Sequence, residues 1–330
     1  MSRTGKKPEA VLVTGAGGYL GCQLMETLAR YERPLKTIVA ADVRPVEPHR
    51  RLPGIEYLTA DVRSPELSKI LADHAIDVVV HLAAIVTPGK DTNREFEYAV
   101  DVLGTENLLR VCTEAGVDKL IITSSGAAYG YHPDNPAWLV ESDALRGNAQ
   151  FAYAYHKRLV EEMLARYRRT HPQLNQLVFR PGTILGATAH NQFTALLDKR
   201  IILGVRGAAS PFVVIWDRDV IACILKGIFE DLTGIYNVAG DGVLTMKEIA
   251  HIMHKPYLPL PAWMLRAALI VLQRLGFTQY GPEQINFLRY RPVLSNQKLK
   301  HEFGYVPQKS TRQAFEYFIE AKKNVREASV

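Results

Sequence analysis

A tyrosine and a lysine four positions apart, Tyr153 and Lys157, stand in a segment whose apolar spacing predicts a helix. Residues four apart share a helix face, so the lysine ammonium would lower the pKa of the tyrosine hydroxyl. The phenolate could then act as a general base and the phenol as a general acid. Ser125, which follows an apolar run, could hold a substrate oxygen by a hydrogen bond. These residues predict proton transfer at a substrate hydroxyl.

The Tyr-x-x-x-Lys pair also has a simpler interpretation, because such pairs are common on exposed helix surfaces. The pair is evidence for catalysis because it follows Ser124 and Ser125, which end a predicted strand. Tyr155 is a rival for the acid–base role, but it is two residues from Lys157 and does not share its face. His156 is interpreted as a residue of the helix face without a catalytic role.

A glycine-rich turn joins the first predicted strand to the first predicted helix. Gly15, Gly18 and Gly21 have the spacing GxxGxxG. The first glycine permits a tight turn, the second admits a pyrophosphate, and the third allows close packing of helix and strand. The helix N-terminus would offer N–H groups to the phosphates. Since glycines are also common in ordinary turns, the assignment depends on Asp42, which ends the next strand and could accept both ribose hydroxyls.

Asp42 also bears on the choice of dinucleotide. The negative charge of Asp42 would repel the 2′-phosphate of NADP and therefore favours NAD. Because Arg44 lies two residues later, NADP is not excluded. Asp61 follows the third predicted strand, where it could bind the adenine amino group or only cap the strand end, and both interpretations remain open.

Short apolar runs rich in β-branched residues alternate with amphipathic helical patterns in the first half of the chain. This alternation predicts a parallel sheet covered by helices on both faces, a doubly wound, Rossmann-like α/β fold. The predicted strands are 10–14, 37–42, 55–60, 78–82, 120–123 and 176–180, and the predicted helices include 19–31, 65–72, 95–115 and 151–170.

The alternation stops after Gly186, and the two later apolar runs 212–216 and 234–238 are predicted to return to the sheet. A smaller C-terminal substrate-binding lobe is predicted over the carboxyl ends of the strands, where open α/β sheets bind ligands. The predicted domains are therefore a dinucleotide-binding domain of residues 1–186 and 211–240 and a lobe of residues 187–210 and 241–330.

Composition restricts the function classes. The 330 residues are 47% hydrophobic and 22% charged, which excludes a disordered chain. The net charge of +6 includes short clusters such as Arg166, Arg168 and Arg169, interpreted as a solvated helix face and not as a nucleic-acid surface. The three cysteines lie far apart in no metal-binding spacing, and no signal-peptide pattern begins the sequence, so a cytoplasmic protein without a metal site is expected.

The apolar segment 263–275 is too short to cross a bilayer. It is predicted to be a buried helix of the lobe. A helix lying on a membrane surface is the alternative.

The motifs together resemble the extended short-chain dehydrogenase/reductase superfamily, the NAD-dependent epimerase/dehydratase family. They are TGAGGYLG at 14–21, ADV at 41–43 and 60–62, HLAA at 81–84, TSSGAAYG at 123–130, YAYHK at 153–157, RPGTILG at 180–186 and YNVAGDG at 236–242. The resemblance implies an enzyme in which Tyr153 and Lys157 are catalytic and Ser125, preferred to Ser124, assists. The cofactor contacts that it implies, with Gly21 of the turn, are Gly15, Gly18, Tyr19, Leu20, Asp42, Asp61, Val62, Leu82, Ala83, Ala84, Lys157 and Pro181.

Several residues depart from the family pattern at positions that bear on substrate binding. Asp101 replaces the usual asparagine, which puts a backbone-bracing role there in doubt, and Thr183 replaces an asparagine of the nucleotide-sugar epimerases. Phe212 aligns with an arginine that clamps phosphates, which argues against a UDP-sugar pocket. Three arginines are candidates to compensate: Arg206, Arg218 and Arg291.

Aromatic residues of the predicted lobe suit a ligand with hydrocarbon surface, such as a sterol-like, isoprenoid or acyl substrate. They could equally form the core of the lobe, and both interpretations remain open. The residues concerned are Phe193, Phe212, Trp216 and Trp263.

The leading hypothesis is an NAD-dependent oxidoreductase that moves a hydride at a secondary alcohol or ketone carbon while Tyr153 shuttles the hydroxyl proton. The alternative is a UDP-sugar 4-epimerase or dehydratase that keeps NAD tightly bound. A non-catalytic dinucleotide-binding protein is disfavoured, because both Tyr153 and Lys157 are present. The resemblance also implies a homodimer formed through the helices at 95–115 and 151–170. A small molecule is the expected substrate.

Overall fold

The protein forms two compact units in a computed structural model that describes residues 7–33, 35–86, 93–276, 281–282 and 284–327. Unit 1 consists of Met1–Ala128, His156–Arg180 and Val220–Tyr236, and unit 2 of Tyr129–Tyr155, Pro181–Asp219 and Asn237–Val330. The second unit thus takes 129–155, 181–186, 211–219 and 237–240, which the sequence placed with the dinucleotide-binding domain.

Thirteen strands are found in the described residues. They are β1 (Ala10–Thr14), β2 (Thr37–Asp42), β3 (Glu56–Thr59), β4 (Val78–His81), β5 (Lys119–Thr123), β6 (Asn175–Pro181), β7 (Thr183–Leu185), β8 (Ile202–Val205), β9 (Pro211–Phe212), β10 (Val214–Trp216), β11 (Gly234–Val238), β12 (Leu244–Thr245) and β13 (Tyr257–Leu260).

Twelve α-helices accompany them in the same residues. They are α1 (Tyr19–Leu28), α2 (Glu66–Asp73), α3 (Arg94–Tyr98), α4 (Gly104–Ala115), α5 (Ala152–Thr170), α6 (Gln192–Leu197), α7 (Asp217–Phe229), α8 (Met246–Ile252), α9 (Ala262–Arg274), α10 (Gln284–Arg289), α11 (Gln297–His301) and α12 (Thr311–Glu327).

A seven-stranded sheet with the order β11-β6-β5-β4-β1-β2-β3 forms the centre of unit 1. The neighbours from β3 to β6 are parallel, and β1 and β4 are buried along their whole lengths. One hydrophobic cluster joins these strands to α2, α4 and α5, including Leu12, Val79, Leu108 and Leu164. The predicted doubly wound α/β fold is confirmed. The chain order reverses between β1 and β4, where open sheets bind dinucleotides.

Two predicted elements differ from the structure. The helix predicted at 95–115 is α3, a π-helical turn Ala99–Leu103, and α4 in succession. The run 234–238 returns to the sheet as β11, but the prediction that 212–216 does so was wrong. That run forms β9 and β10, and β10 pairs with β7 in a separate two-stranded sheet. Apolar β-branched residues identify a strand, but they do not identify the strand it pairs with.

Unit 2 contains short two-stranded sheets, β7 with β10, β9 with β12 and β8 with β13, and an aromatic core. The ring centroids of Phe193 and Phe212 lie 4.7 Å apart, and Phe193 also contacts Phe315. All three side chains are buried. Phe193 and Phe212 are therefore core residues, which decides one of the two interpretations left open for them.

The segment predicted as a buried lobe helix is α9, and that prediction was wrong. Leu265 is its one buried residue, while Trp263 is 71% exposed. Within the described residues, no helix combines the length and the apolar character needed to cross a membrane.

Candidate functional site

The turn after β1 packs closely against the neighbouring backbone. Gly15 has φ +74°, and a Cβ atom there would lie 2.7 Å from Cα of Ala83. A Cβ atom on Gly21 would lie 2.7 Å from Cα of Ala16. These two positions require glycine because the backbone of β1, α1 and the segment after β4 meets there. No described side chain caps α1 at Gly18, so this helix end suits phosphate groups.

Asp42 ends β2 beside this turn. Its Oδ2 atom accepts a hydrogen bond from the N–H of Gly17 at 3.0 Å, and its Oδ1 atom accepts one from the N–H of Arg44 at 3.0 Å. The Arg44 side chain is exposed, with Nε 3.8 Å from Oδ1. A carboxylate fixed in this way keeps lone pairs that could accept two ribose hydroxyls.

Asp61 is already engaged by a neighbour. Both of its carboxylate oxygens lie 3.0 Å from Nε of Arg63, and this ion pair lowers the pKa of the Asp61 carboxyl. Val62 is buried against α4, where a Cβ atom on Gly104 would lie 2.6 Å from Cγ2 of Val62. Contact of Asp61 with adenine stays a prediction, and it would use lone pairs that Arg63 leaves unused.

His81, which the sequence showed only as part of the HLAA motif, links β4 to its surroundings. Its Nδ1 atom lies 2.7 Å from Oγ1 of Thr14, and its Nε2 atom lies 3.1 Å from Oγ1 of Thr105. Because the Thr105 hydroxyl donates to the carbonyl of Asp101, it accepts from Nε2–H, and Nδ1 accepts from Thr14. Burial, helped by the charge of Lys157, lowers the pKa of His81 to about 3. This neutral imidazole holds the backbone from which Leu82, Ala83 and Ala84 continue.

Asp101 lies in the π-helical turn and is buried. Its Oδ1 atom accepts a hydrogen bond from the N–H of Ile85 at 2.9 Å, so it braces the backbone after β4. Its Oδ2 atom lies 3.3 Å from Nδ1 of His156. The interpretation of His156 as a helix-face residue was wrong, since 1% of its side chain is exposed.

Lys157 and Tyr153 lie one turn apart on α5. Lys157 is buried, and its Nζ atom donates to the carbonyl of Thr123, at the end of β5, at 3.0 Å. Desolvation lowers the pKa of Lys157, while the negative charges of Asp101 and Glu161 oppose that shift. Tyr153 is half-buried in the first turn of the helix.

Two serines follow β5, and their hydroxyls differ in environment. The Ser124 hydroxyl is buried and donates to Oε1 of Glu161 at 2.6 Å. Glu161 also binds Nε of Arg180 at 2.8 Å, in a pair whose side chains are 3% exposed. Ser125 lies outside this network, and its Oγ atom accepts from the N–H of Ala127 at 3.1 Å. The engagement of Ser124 supports the preference for Ser125.

Of the three arginines proposed to compensate for Phe212, Arg291 is the one beside it. Its guanidinium carbon lies 4.0 Å from the ring centroid of Phe212 and 4.3 Å from that of Phe287. Nη2 donates to Oγ1 of Thr183 at 3.3 Å, whereas no described residue accepts a hydrogen bond from the buried Nη1. Burial lowers the pKa of Arg291 to about 10. Arg206 and Arg218 are exposed.

Tyr131 interacts electrostatically with both Arg291 and Tyr153, although the sequence gave no signal for it. Burial raises the pKa of Tyr131 to about 12, an effect that the charge of Arg291 opposes and a Tyr153 phenolate increases. Its ring lies 5.3 Å from that of Phe151 and 5.1 Å from that of Phe287. Unit 2 therefore presents a guanidinium among aromatic rings near Tyr153. Pro181, the remaining expected contact, is the last residue of β6.

Comparisons with known proteins agree with this geometry. A model of the NAD dependent epimerase/dehydratase family matches residues 11–217. An uncharacterized protein of Mycobacterium tuberculosis (strain ATCC 25618 / H37Rv) is 22% identical over 317 residues, 96% of this chain and 84% of that protein. A UDP-glucose 4-epimerase of Yersinia pestis is 33% identical over 190 residues, 54% of each chain. A solved UDP-glucose 4-epimerase of Thermotoga maritima, with UDP-glucose, has a TM-score of 0.73 at 16% identity and covers 96% of this chain and 99% of its own.

Proposed function

The chain belongs to the NAD dependent epimerase/dehydratase family, and we propose that it transfers a hydride at a secondary alcohol or ketone carbon, with Tyr153 as the acid–base residue. Family membership confirms the prediction of an NAD-dependent enzyme. The observation that carries the proposal is the position of Lys157, whose buried ammonium is fixed to Thr123 one helical turn from Tyr153.

The residues around the glycine turn fit NAD. At Gly15 a Cβ atom would meet the backbone of Ala83, so glycine permits the tight turn that would bring the N–H groups at the start of α1 towards a pyrophosphate. Asp42 would hold the adenosine ribose, and its negative charge disfavours a 2′-phosphate. When bound, NAD supplies the hydride acceptor and donor, and the protein supplies orientation.

We assign the proton-transfer steps to residues of α5. The Lys157 ammonium favours the phenolate of Tyr153, which takes the proton of a substrate hydroxyl during oxidation and returns it during reduction. The negative charges of Asp101 and Glu161 oppose the fall in the pKa of Lys157 that burial causes. Ser125 would donate a hydrogen bond to the substrate oxygen and so hold it in position.

A second candidate function is 4-epimerisation or dehydration of a UDP-sugar with retained NAD. The Yersinia pestis relative is named a UDP-glucose 4-epimerase, and Arg291 offers a guanidinium next to Phe212, where the family's phosphate clamp is missing. We infer that Arg291 binds an oxyanion of the substrate, either a diphosphate or a carboxylate. The sterol-like, isoprenoid or acyl substrate remains a hypothesis, supported now by the aromatic rings around Tyr131.

Tyr153→Phe tests the acid–base step that both candidate functions share, and Tyr155→Phe is the matched control. Loss of one general acid–base group is expected to lower kcat by about 10²- to 10⁴-fold. Binding of NAD, measured by calorimetry, should not change. Full activity of Tyr153→Phe with a substrate that wild type turns over would contradict the mechanism.

Product analysis separates the two candidates. With UDP-glucose as the probe, formation of the 4-epimer without release of NADH supports the epimerase. Release of NADH into solution with a secondary alcohol supports the dehydrogenase. Inactivity of an NAD-loaded protein towards both classes would favour the non-catalytic interpretation.

We also propose the homodimer expected from the resemblance. The predicted contact region, α3 with the π-helical turn, exposes Phe96, Tyr98 and Leu103. Large apolar side chains exposed together are typical of an interface. Sedimentation equilibrium should therefore give a dimer for wild type and a monomer for Leu103→Glu, and a monomeric wild type would remove the proposal.

A further inference from the structure

The outward side of α9 carries several large apolar side chains. Leu265 packs inward with Val205 and Ile285 in one hydrophobic cluster. On the other side, Trp263 and Val271 are exposed, and their spacing of eight residues places them on one helix face. Met264, Ile270 and Leu272 are exposed as well. Large apolar side chains on the outward side of a helix are normally covered by other apolar material, which the described residues do not provide here.

Two neighbouring strands continue this surface. Leu203 of β8 pairs with Leu258 of β13, and both side chains are exposed. Two residues further on, Val205 pairs with Leu260, and both contribute to the cluster that holds Leu265. Side chains two residues apart on a strand share a face, so the exposed pair lies on the side of the sheet that α9 covers. These exposed residues form the α9 patch: Leu203, Leu258, Trp263, Met264, Ile270, Val271 and Leu272.

The charged residues in the segments that form the α9 patch are basic. Arg266 and Arg274 are exposed on the helix itself. Exposed basic residues also flank β8: Lys199, Arg200 and Arg206. The sequence has no aspartate or glutamate at 199–211 or at 249–282. The patch therefore combines an apolar surface with basic residues of the same segments, while Asp198, directly before Lys199, is paired with Lys322.

We propose that the α9 patch binds the surface of an anionic phospholipid bilayer. An apolar helix face enters the boundary between headgroups and acyl chains, and arginines beside it pair with lipid phosphates. An exposed tryptophan such as Trp263 is suited to this layer, because its ring is apolar and its N–H is polar. A second copy of the chain fits less well, because two such patches would place the same arginines against each other. This inference goes beyond the proposed activity and does not depend on it.

Membrane binding would have a direct use for the enzyme. Apolar alcohols and lipid-linked substrates partition into bilayers, so a surface-bound enzyme would meet them at high local concentration. The helix would lie in the plane of the membrane, because α9, with 13 residues, is shorter than the roughly 20 residues that a bilayer core requires.

Co-sedimentation of the full chain with lipid vesicles tests the proposal. Wild type is expected to bind vesicles of phosphatidylcholine mixed with phosphatidylglycerol, and less so vesicles of phosphatidylcholine alone. Salt should weaken binding to the mixed vesicles, because it screens the arginines. Arg266→Gln combined with Arg274→Gln should remove most of the preference for phosphatidylglycerol.

Matched variants distinguish vesicle binding through the α9 patch from nonspecific hydrophobic binding. Trp263→Ser with Val271→Ser should lower the partition coefficient on mixed vesicles by about tenfold or more, because apolar area is lost from the contact. Trp138→Ser with Val306→Ser makes the same chemical changes at exposed positions elsewhere and should bind as wild type does. All four side chains are exposed, so the fold should survive.

Three results would overturn the proposal. One is wild-type protein that stays in the supernatant with both kinds of vesicle. Another is a lipid-free dimer that the patch variant converts into a monomer, which would show that a second copy covers the α9 patch. The third is equal vesicle binding by the patch variant and its control.

Discussion

Oδ2 of Asp101 lies 3.3 Å from Nδ1 of His156, a buried residue that directly precedes Lys157 on α5. The same carboxylate holds the backbone of Ile85 through Oδ1. Asp101 thus has two functions, because it fixes the segment after β4 and also places a negative charge near the ammonium of Lys157. The usual asparagine of the family could provide the first of these functions but not the second.

Asp101→Asn should separate the two functions of Asp101. The amide oxygen can still accept from the N–H of Ile85, but the charge that raises the pKa of Lys157 is lost. The pKa of Lys157 should then fall further, so the ammonium is lost at lower pH and the alkaline limb of the kcat profile moves to lower pH. Asp73→Asn, at an exposed position, is the control. An unchanged profile would show that Asp101 only braces the backbone.

Gly15→Ala and Gly54→Ala form a matched pair for the glycine turn. Both glycines have φ near +75°, but a Cβ atom at Gly54 meets nothing within 4 Å, whereas at Gly15 it meets the backbone of Ala83. Gly54→Ala should lose only about 1–2 kcal/mol of unfolding free energy from backbone strain. Gly15→Ala should lose more and should no longer bind NAD. Denaturant unfolding and calorimetry measure the two effects, and equal behaviour of the pair would argue against a cofactor at this turn.

Arg291→Gln should weaken binding of an oxyanion. Charge-assisted hydrogen bonds to a buried guanidinium contribute about 1.5–3 kcal/mol, so the Kd should rise roughly 10- to 100-fold. UDP and decanoate serve as diphosphate and carboxylate probes, with decanol as the uncharged reference. Arg206→Gln and Arg218→Gln should bind the probes as wild type does.

The pH dependence gives a second test of Arg291. Its pKa of about 10 means that the guanidinium loses its charge above that pH, so the affinity for the anion should fall there. Thermal stability of Arg291→Gln should not decrease, because the variant removes a buried charge that has no described acidic partner. Unchanged anion binding with normal NAD binding would reject the role of Arg291 and leave the proposed hydride transfer intact.

Glu161→Gln should be strongly destabilising. It leaves the guanidinium of Arg180 buried beside a neutral amide, a change that typically costs about 3–5 kcal/mol. Glu230→Gln breaks an exposed pair with Lys226 on α7 and should cost about 0.3–0.5 kcal/mol. Urea unfolding compares the two, and a difference below about 1 kcal/mol would contradict the structural importance of the buried pair.

The sequence predicted well what local patterns determine. Buried β-branched runs identified β1, β2 and β4 to within a residue, and glycine spacing located the turn at Gly15. It could not predict contacts between distant segments. Arg291 stands 79 positions after Phe212, and no local pattern brings them together. His156 was misjudged because its partner, Asp101, lies on another helix, and α9 was misjudged because hydrophobic composition does not distinguish a core from an exposed surface.

The helix α5 begins in one compact unit and continues into the other, with Tyr153 on the first side of that division and Lys157 on the second. Their separation is set by the rise of a single helix, about 6 Å along its axis. The spacing of Tyr153 and Lys157 is therefore contained within one short peptide. A substitution elsewhere in unit 2 that leaves α5 intact leaves this spacing unchanged.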